Sequence, residues 1–482
     1  MGFDWVHCNR DSPIVSRTCY SCYPAVRRHG DEPVPTRSSR KLNNTRPAMR
    51  SSQRDRRQFL RSSAILTSAG LMARPCHAEE KTTTEVSPLE KIRIGIMGVN
   101  SRGGAIIRGM MATGQTEIAY VCDVDERNAG RAAEAVTKNQ TVAPKIVSDF
   151  RRILDDQNVD VLICAAPNHW HAPATILGCA AGKHVYVEKP CSHTPGEGEM
   201  AVAAARSANR IVQMGSQRRS WPGIIEAIDK IRGGEIGDAL YSRTWYNNRR
   251  PSIGPGEKTE VPSWLDWRMW QGPAPDRPFQ DNVVHYNWHW HWHWGNGELG
   301  NNGIHAIDVA RWGLDVTYPI RVTAGGGKYR HEDGQETPDT MMLTLDFPEK
   351  KTITWEGLSW SPLGPHDSRF GISFHGTEGS IVIRGGDYVQ FDNRDNQVAT
   401  GNGASGDADH FNDFLDAVRT GRLPNADIEK AHQSTLLCHL GNIAYRTQSV
   451  LNTNPADGHI IGNAEAEAMW NREYAPGWEP QV

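Results

Sequence analysis

Apolar and polar positions follow two different rhythms along this chain. From Lys91 to Met214, short apolar runs alternate with stretches whose apolar residues recur at helix spacing. Lys91 to Met97 reads as a β-rich run, Gly98 to Gly103 as a tight turn, and Ala105, Ile106, Ile107, Met110 and Met111 as one face of a helix. Ile118 to Cys122 is a second buried strand and ends at Asp123. The alternation continues with helices over 127–136 and 149–154, a strand over 159–165, a helix over 174–181, a strand over 183–187, a helix over 196–208 and a strand over 210–214. Strands separated by helices predict a parallel, doubly wound sheet, an α/β Rossmann domain over 91–215.

Beyond Gly215 the rhythm changes. Strands are predicted over 240–246, 340–347, 351–355, 370–375, 381–383 and 388–391. Met341, Leu343, Leu345 and Phe347 recur at strict period two, as in a sheet with one buried face. A loop-rich insertion over 264–315 ends in a helix, and 409–420 and 429–448 are the last helices. This predicts an α+β domain over 216–450 built on a large, mostly antiparallel open sheet. An arm over 451–482 is expected to pack on the fold or on a neighbour.

Residues 1–54 are rich in Arg, Ser, Pro and Asn, show little apolar periodicity and read as a disordered extension. Over 55–80, Arg56-Arg57 precedes the apolar run from Ser62 to Ala73, too short to span a bilayer, with Ala78 at a candidate cleavage point. This resembles a twin-arginine signal, which exports already folded proteins. It predicts a periplasmic or otherwise exported protein with no membrane span in its mature form. Met49 is then a candidate true start, and 81–90 a polar linker.

A formal net charge of −3, with both signs well mixed, supplies no extended basic field for nucleic acid. Of the nine cysteines, five lie beyond the extension: Cys122, Cys164, Cys179, Cys191 and Cys438. An odd number, several of them in apolar patterns, indicates buried thiols, not a disulfide framework or a Cys-x-x-Cys metal site.

Chemistry enters with the stretch from Lys91 to Asp123. Strand, glycine turn, helix N-terminus and an acid at the next strand's tip form a dinucleotide fingerprint in its required context. Gly98 and Gly103 shape the turn, Ser101 and Arg102 open the helix, and Arg102 offers a charge-assisted phosphate contact. Asn100 stands where the pattern has its middle glycine, and asparagine tolerates a left-handed backbone better than most residues. Asp123 accepts from an adenosine ribose 2′-hydroxyl and repels a 2′-phosphate, so NAD is expected, with NADP the alternative.

Further motifs follow in order: Cys122-Asp123-Val124-Asp125, Pro167-Asn168 with His171, Ala181-Gly182-Lys183-His184-Val185, and Glu188-Lys189-Pro190. With Gly98 to Gly103, this set resembles the glucose-fructose oxidoreductase and inositol dehydrogenase (Gfo/Idh/MocA) family from about Lys91 to the C-terminus. The resemblance implies a nicotinamide-dependent oxidoreductase with a C-terminal substrate and oligomerisation domain, commonly a homodimer or homotetramer. It implies cofactor contacts at Pro167, Asn168, His171, Glu188, Lys189 and Gln217, with the Lys-Pro peptide closing the cofactor site and Lys189 facing the substrate.

Oxidising a carbinol needs a base that takes the hydroxyl proton as the carbonyl forms. Lys189 polarises a substrate oxygen as a cation and becomes a base if burial or a like charge depresses its pKa from about 10.4. Glu188 is placed to hold that lysine or the nicotinamide ribose. Gly300 to Trp312 reads as a loop opening a helix with His305 and Asp308 on one face: an imidazole for proton transfer and an acid to fix its tautomer. Asn301 occupies a position where the family commonly carries Asp. An amide orients a sugar hydroxyl but cannot take its proton, which leaves that task to His305 with Lys189.

The run from His285 to Trp294 alternates His and Trp. If extended, it puts His289, His291 and His293 on one face. A zinc chelate, a sugar-stacking wall and a packing ribbon all account for it; no metal is assigned. The combined expectation is hydride transfer from a secondary hydroxyl of a sugar, cyclitol or glycoside to a tightly held NAD. The rivals are a glycoside-cleaving relative that oxidises transiently, and a sensor that binds cofactor and sugar without turnover.

Overall fold

The computed structural model describes residues 91–481. The extension, export signal and linker expected over 1–90 lie outside the described residues. Six parallel strands, β1 (Ile92–Met97), β2 (Thr116–Cys122), β3 (Lys145–Val147), β4 (Val161–Cys164), β5 (His184–Val187) and β6 (Val212–Met214), form a sheet in the order β3-β2-β1-β4-β5-β6. Helices α1 (Ser101–Ala112), α2 (Glu126–Thr137), α3 (Arg151–Leu154), α4 (Asn168–Ala180) and α5 (Pro195–Ser207) connect successive strands. Ile94, Ile96, Val161, Leu162, Ile163 and Val187 are fully buried, because helices cover both faces of the sheet. Strand order reverses between β1 and β4, which opens a crevice at the carboxyl ends of the strands.

The turn after β1 shows why two glycines are required. Gly98 has φ +78°, and a methyl on Gly103 would lie 1.8 Å from the Gly98 carbonyl oxygen. Asn100 has φ −73° and ψ 171°, so its tolerance of a left-handed backbone is not used; the positive φ values of the turn fall at Gly98 and Ser101 instead.

After α6 (Pro222–Arg232), ten strands build the second sheet: β7 (Ala239–Asn247), β8 (Arg321–Gly327), β9 (Thr340–Phe347), β10 (Lys351–Leu358), β11 (Phe370–Gly376), β12 (Gly379–Arg384), β13 (Asp387–Asp392), β14 (Gln397–Gly401), β15 (Leu451–Thr453) and β16 (Ile460–Ile461). Their order is β14-β13-β12-β11-β7-β10-β9-β8-β15-β16, antiparallel except where β7 meets β10. Helix α7 (Trp267–Gln271) lies in the insertion, and α8 (Ile304–Leu314) covers β7, β10 and β11.

Two segments cross back to the Rossmann layer. In α9 (Ala408–Thr420), Phe411 and Phe414 join the core of Ile94, Ile106 and Tyr186, with the Phe411 ring filling the space a methyl on Gly109 would take. The next helix, α10 (Ile428–Thr447), is buried on nearly every side because it is wedged between α5 and α8. After α11 (Ala464–Glu467), the arm packs on its own chain: Arg472 Nε donates to Glu197 of α5 at 2.7 Å, and the Trp478 ring meets Trp170 edge-on at 5.0 Å. Residue 215 therefore ends the parallel sheet without ending the layer. Among the described residues no helix is long and apolar enough to cross a membrane.

Candidate active site

A cleft of about 370 Å³ runs along the carboxyl ends of β1, β4 and β5. Gly98, Asn100, Ser101 and Arg102 line one wall, while Gly103 packs beneath the turn and does not reach the cleft. No side chain caps α1 and no acid stands in its first turn, so its leading N–H groups and the positive end of its dipole are open to an anion. Asp123 faces the same space, its carboxylate accepting the N–H groups of Val99 and Asp125, each at 2.9 Å. Burial raises its pKa, and those two N–H groups work against the rise. An uncapped helix start, a glycine cradle that a side chain would fill and an acid fixed at the tip of β2 fit a dinucleotide.

Pro167 and Asn168 line the cleft where α4 begins. His171 also lines it, and its ring spans two carbonyl oxygens, Nδ1 to Pro190 at 2.6 Å and Nε2 to Ala166 at 2.8 Å. It thereby ties the end of β4 to the Lys189-Pro190 peptide. Gln217 lies on the floor, its amide reaching the Tyr186 hydroxyl at 3.3 Å.

At the far end stand Glu188, Lys189, Asn301 and His305. Glu188 is only 5% exposed and accepts Arg102 Nε at 2.7 Å. Arg102 also grips Asp407 at 2.7 and 3.1 Å, so the guanidinium expected on a phosphate is engaged by two carboxylates. The reason is electrostatic: burial pushes the Glu188 carboxyl up, but Arg102 and then Lys189 outweigh burial and hold it below the usual carboxylate range.

Lys189 Nζ donates to the Asn301 backbone carbonyl at 2.7 Å and to Asn301 Oδ1 at 2.8 Å. Asn301 sits in a π-helical turn, Leu299–Gly303, that leads directly into α8. Burial brings the Lys189 ammonium down to about 8, against the opposing pull of Glu188 and Glu298. Glu298 is itself held by Arg250, whose guanidinium lies over the Trp290 ring at 4.6 Å. His305 is depressed well below the ordinary histidine value by burial, then by the charges of Arg218 and Lys189, so it is a neutral imidazole at pH 7.

Asp308 does not serve His305. It is 1% exposed, lies outside the cleft wall, accepts Arg219 Nη2 at 2.7 Å and Nε at 2.8 and 3.0 Å, and takes the Ser434 hydroxyl at 2.6 Å. A fixed guanidinium from a distant part of the chain claims the carboxylate that helix spacing placed beside the histidine.

The His/Trp run is not extended. It is a chain of turns with a 3-10 segment at Asn287–Trp290, so the period-two face of imidazoles does not form. His285, Tyr286, Trp288 and His289 line the cleft, whereas Trp294 packs against Trp267 and Trp270 at 5.7 and 5.3 Å. His289 Nδ1 donates to the Tyr286 carbonyl at 2.6 Å, leaving Nε2 as an acceptor. Among the described residues, no three His, Cys, Asp or Glu side chains gather to hold a metal ion. The insertion also closes over the Asp123 end: Asp266 N–H reaches the Val124 carbonyl at 2.9 Å, His285 Nε2 lies 2.9 Å from Asp125, and Met269 and Trp270 complete the wall. Sequence reasoning singled out His285 only as the start of the His/Trp run, and it missed Met269 and Trp270, along with Ser148, Phe150 and Trp170. The dense tryptophans between 264 and 294 were the signal available.

Residues 92–216 match the family described as an oxidoreductase family with an NAD-binding Rossmann fold, and residues 224–382 match the GFO/IDH/MocA C-terminal domain. The chain belongs to the Gfo/Idh/MocA family. Levoglucosan dehydrogenase of Pseudarthrobacter phenanthrenivorans is 29% identical over 285 residues, 54% of this chain and 64% of that protein. Inositol 2-dehydrogenase of Salmonella typhimurium is 31% identical over 151 residues, 31% of this chain and 44% of that protein. Glycosyl hydrolase family 109 protein 2 of Shewanella sp. strain ANA-3 is 26% identical over 208 residues, 40% of this chain and 46% of that protein. The matches thus span less than two thirds of each of these relatives. In three dimensions, levoglucosan dehydrogenase in complex with NADH and levoglucosan superposes with TM-score 0.60 at 20% identity, covering 75% of this chain and 99% of that one. Aldose-aldose oxidoreductase from Caulobacter crescentus, complexed with glycerol, gives TM-score 0.59 at 19% identity, covering 75% and 100%. These likenesses establish the shared fold.

Proposed function

We propose that this chain oxidises a secondary carbinol of a sugar, cyclitol or glycoside with NAD. The observation that carries the reading is that Lys189 and His305 share one cleft whose other end fits a dinucleotide. Bound NAD supplies the acceptor for the carbinol hydrogen. Lys189 spends two N–H groups on Asn301, which leaves its third N–H to donate to a substrate oxygen or, when deprotonated, its lone pair to accept from a substrate hydroxyl. The neutral His305 imidazole accepts or returns the hydroxyl proton. Asn301 itself is occupied with Lys189, so it orients the amine and carries no proton.

The wall of Tyr286, Trp288 and His289 supports a polyhydroxylated substrate, with aromatic faces for ring C–H groups and Nε2 of His289 as an acceptor. Closure of the insertion over Val124 and Asp125 supports a cofactor that leaves slowly. Slow release suits the export proposed from Arg56-Arg57, since a protein folded before export carries its NAD and recycles it with a second substrate. Homodimer or homotetramer assembly is proposed through the sheet face that α8 leaves uncovered, which carries Tyr241, Arg243 and Met342.

The glycosyl hydrolase family 109 relative supports a second reading, in which the oxidised sugar eliminates its aglycone and then regains the hydrogen, with no net redox change. One assay separates the two: purified protein is mixed with NAD and a panel of sugars, cyclitols and aryl glycosides. Stoichiometric reduced nicotinamide with an intact glycoside supports the dehydrogenase. Aglycone release with catalytic NAD supports the hydrolase, and neither signal from any compound contradicts both.

A further inference from the structure

Lys189 stands between two ion pairs, one on the Rossmann side and one on the side of the second sheet. On the Rossmann side Arg102, also bound to Asp407, donates from Nε to Glu188 at 2.7 Å. On the other side Arg250, just beyond β7, grips Glu298 with Nε and with Nη2, the latter at 3.1 Å. The charges of Glu188, Glu298, Arg102 and Arg250 all reach the amine, whereas the imidazoles that feel it, His171, His289 and His305, are kept neutral by burial. The first pair belongs to the motif that carries the lysine. No part of the chemistry proposed above uses the second.

Glu298 is the residue before the π-helical turn Leu299–Gly303, and it is 4% exposed. Its carboxylate accepts the side-chain amide of Asn302 inside that turn, next to the Asn301 whose two oxygens hold Lys189 Nζ. The turn has no slack, because a methyl on Gly300 would run into Asn296 Cβ and one on Gly303 into the Leu299 side chain. A carboxylate buried at its start needs a fixed counter-charge. Arg250 is fixed at both ends. Its backbone N–H donates to the Ser359 carbonyl, just after β10, at 2.8 Å, while its guanidinium donates to the Tyr286 hydroxyl at 3.1 Å and lies over the Trp290 ring at 4.6 Å. Two N–H groups of one planar fork thus go to Glu298 and a third to the wall of the cleft, which suits Arg and not Lys.

We propose that Arg250 and Glu298 are positioning residues for Lys189: Glu298 holds the turn that presents Asn301 to the amine, and Arg250 sets how much of the Glu298 negative charge the amine feels. This rests on the reading of Lys189 as the group that meets the substrate oxygen. The pair works by opposition. Glu298 favours the ammonium and Arg250 the free amine, so removing one alone displaces the balance, in opposite directions for the two, and removing both largely restores it. The pair also joins the amine to the substrate wall, since one guanidinium holds both Glu298 and Tyr286.

Competitive labelling of the full chain with trace acetic anhydride over a range of pH, with the Lys189 peptide quantified by mass spectrometry, reads the protonation of this amine without any substrate. The wild-type midpoint is expected at about 8. Glu298→Gln, which keeps the shape of the side chain, is expected to lower the midpoint by about one unit, and Arg250→Met to raise it by about one unit. The double variant Arg250→Met/Glu298→Gln is expected within about half a unit of wild type. A pair that merely braced the fold would change stability or KM and leave the midpoint in place. Because labelling needs no turnover, a polyol panel without hydride transfer would sink the proposed oxidation while the labelling still decides the role of the pair. A midpoint that stays put or moves the opposite way in either folded single variant, or a Lys189 that takes no label at any pH, would overturn the proposal, and Glu298→Gln decides alone if Arg250→Met does not fold.

Discussion

The amino group of Lys189 is held by a single residue, Asn301, through both its backbone carbonyl at 2.7 Å and its side-chain oxygen at 2.8 Å. A neutral amide makes this contact where a carboxylate would hold the lysine as a cation, so burial is free to bring the amine down to about 8. Asn301 therefore aims the base and also keeps it poised.

The first prediction changes that charge. Asn301→Asp places an anion against Nζ and should move the acidic limb of the kcat/KM–pH profile from near 8 upward by about one unit or more. A profile that stays in place would show that Lys189 does not set the limb.

Arg102 neutralises Glu188 and joins the start of α1 to Asp407 just before α9. Arg102→Met leaves Glu188 buried without its main partner and should lower unfolding free energy by about 3 kcal/mol. Urea denaturation, read as a fall in midpoint at unchanged slope, checks this.

Asp308 separates structure from catalysis. Asp308→Ala strands the buried Arg219 and should cost about 3–5 kcal/mol of stability. The pH profile of the folded fraction should nevertheless match wild type, because the carboxylate does not touch His305. A displaced pH limb would return Asp308 to the proton path.

Buried imidazoles make the fold acid-sensitive. Burial lowers His410 and His432 to about 4 and His439 to about 3, so between about pH 6.5 and 4 the unfolded chain takes up protons that the folded chain refuses. Stability contributed by these neutral rings is complete above about pH 6.5 and is lost as pH falls through that window. Thermal melts should show Tm dropping steadily from pH 7 to 5, well before most carboxylates titrate.

The parallel sheet was legible because covering on both faces forces runs such as Val161 to Cys164 to be wholly apolar, and the glycine turn has to fall where β1 meets α1. The mostly antiparallel sheet was legible where one face is solvated, as along Met341 to Phe347, and obscure at Arg321–Gly327 and Gln397–Gly401, where glycines and polar residues blur the alternation. Lys189 and His305 could be named because local motifs carry them. The partners of Asp308 and Arg102 could not, since Arg219 and Asp407 arrive from 89 and 305 residues away. The His/Trp run misled for a related reason. Its alternation suggested a strand, but Trp294 is drawn into a cluster with Trp267 and Trp270, and that tertiary packing outweighs local periodicity.

Isotope transfer reads hydride movement from the carbinol to the nicotinamide without an intermediary. Polyols deuterated at every carbinol carbon are incubated with the protein and NAD, and the recovered nicotinamide is read by mass spectrometry. One deuterium is expected in the reduced ring with wild type, and transfer slowed by about two to four orders of magnitude in Lys189→Ala. Reduced nicotinamide free of deuterium would exclude hydride transfer from the carbinol, and transfer undiminished in Lys189→Ala would exclude Lys189 from it.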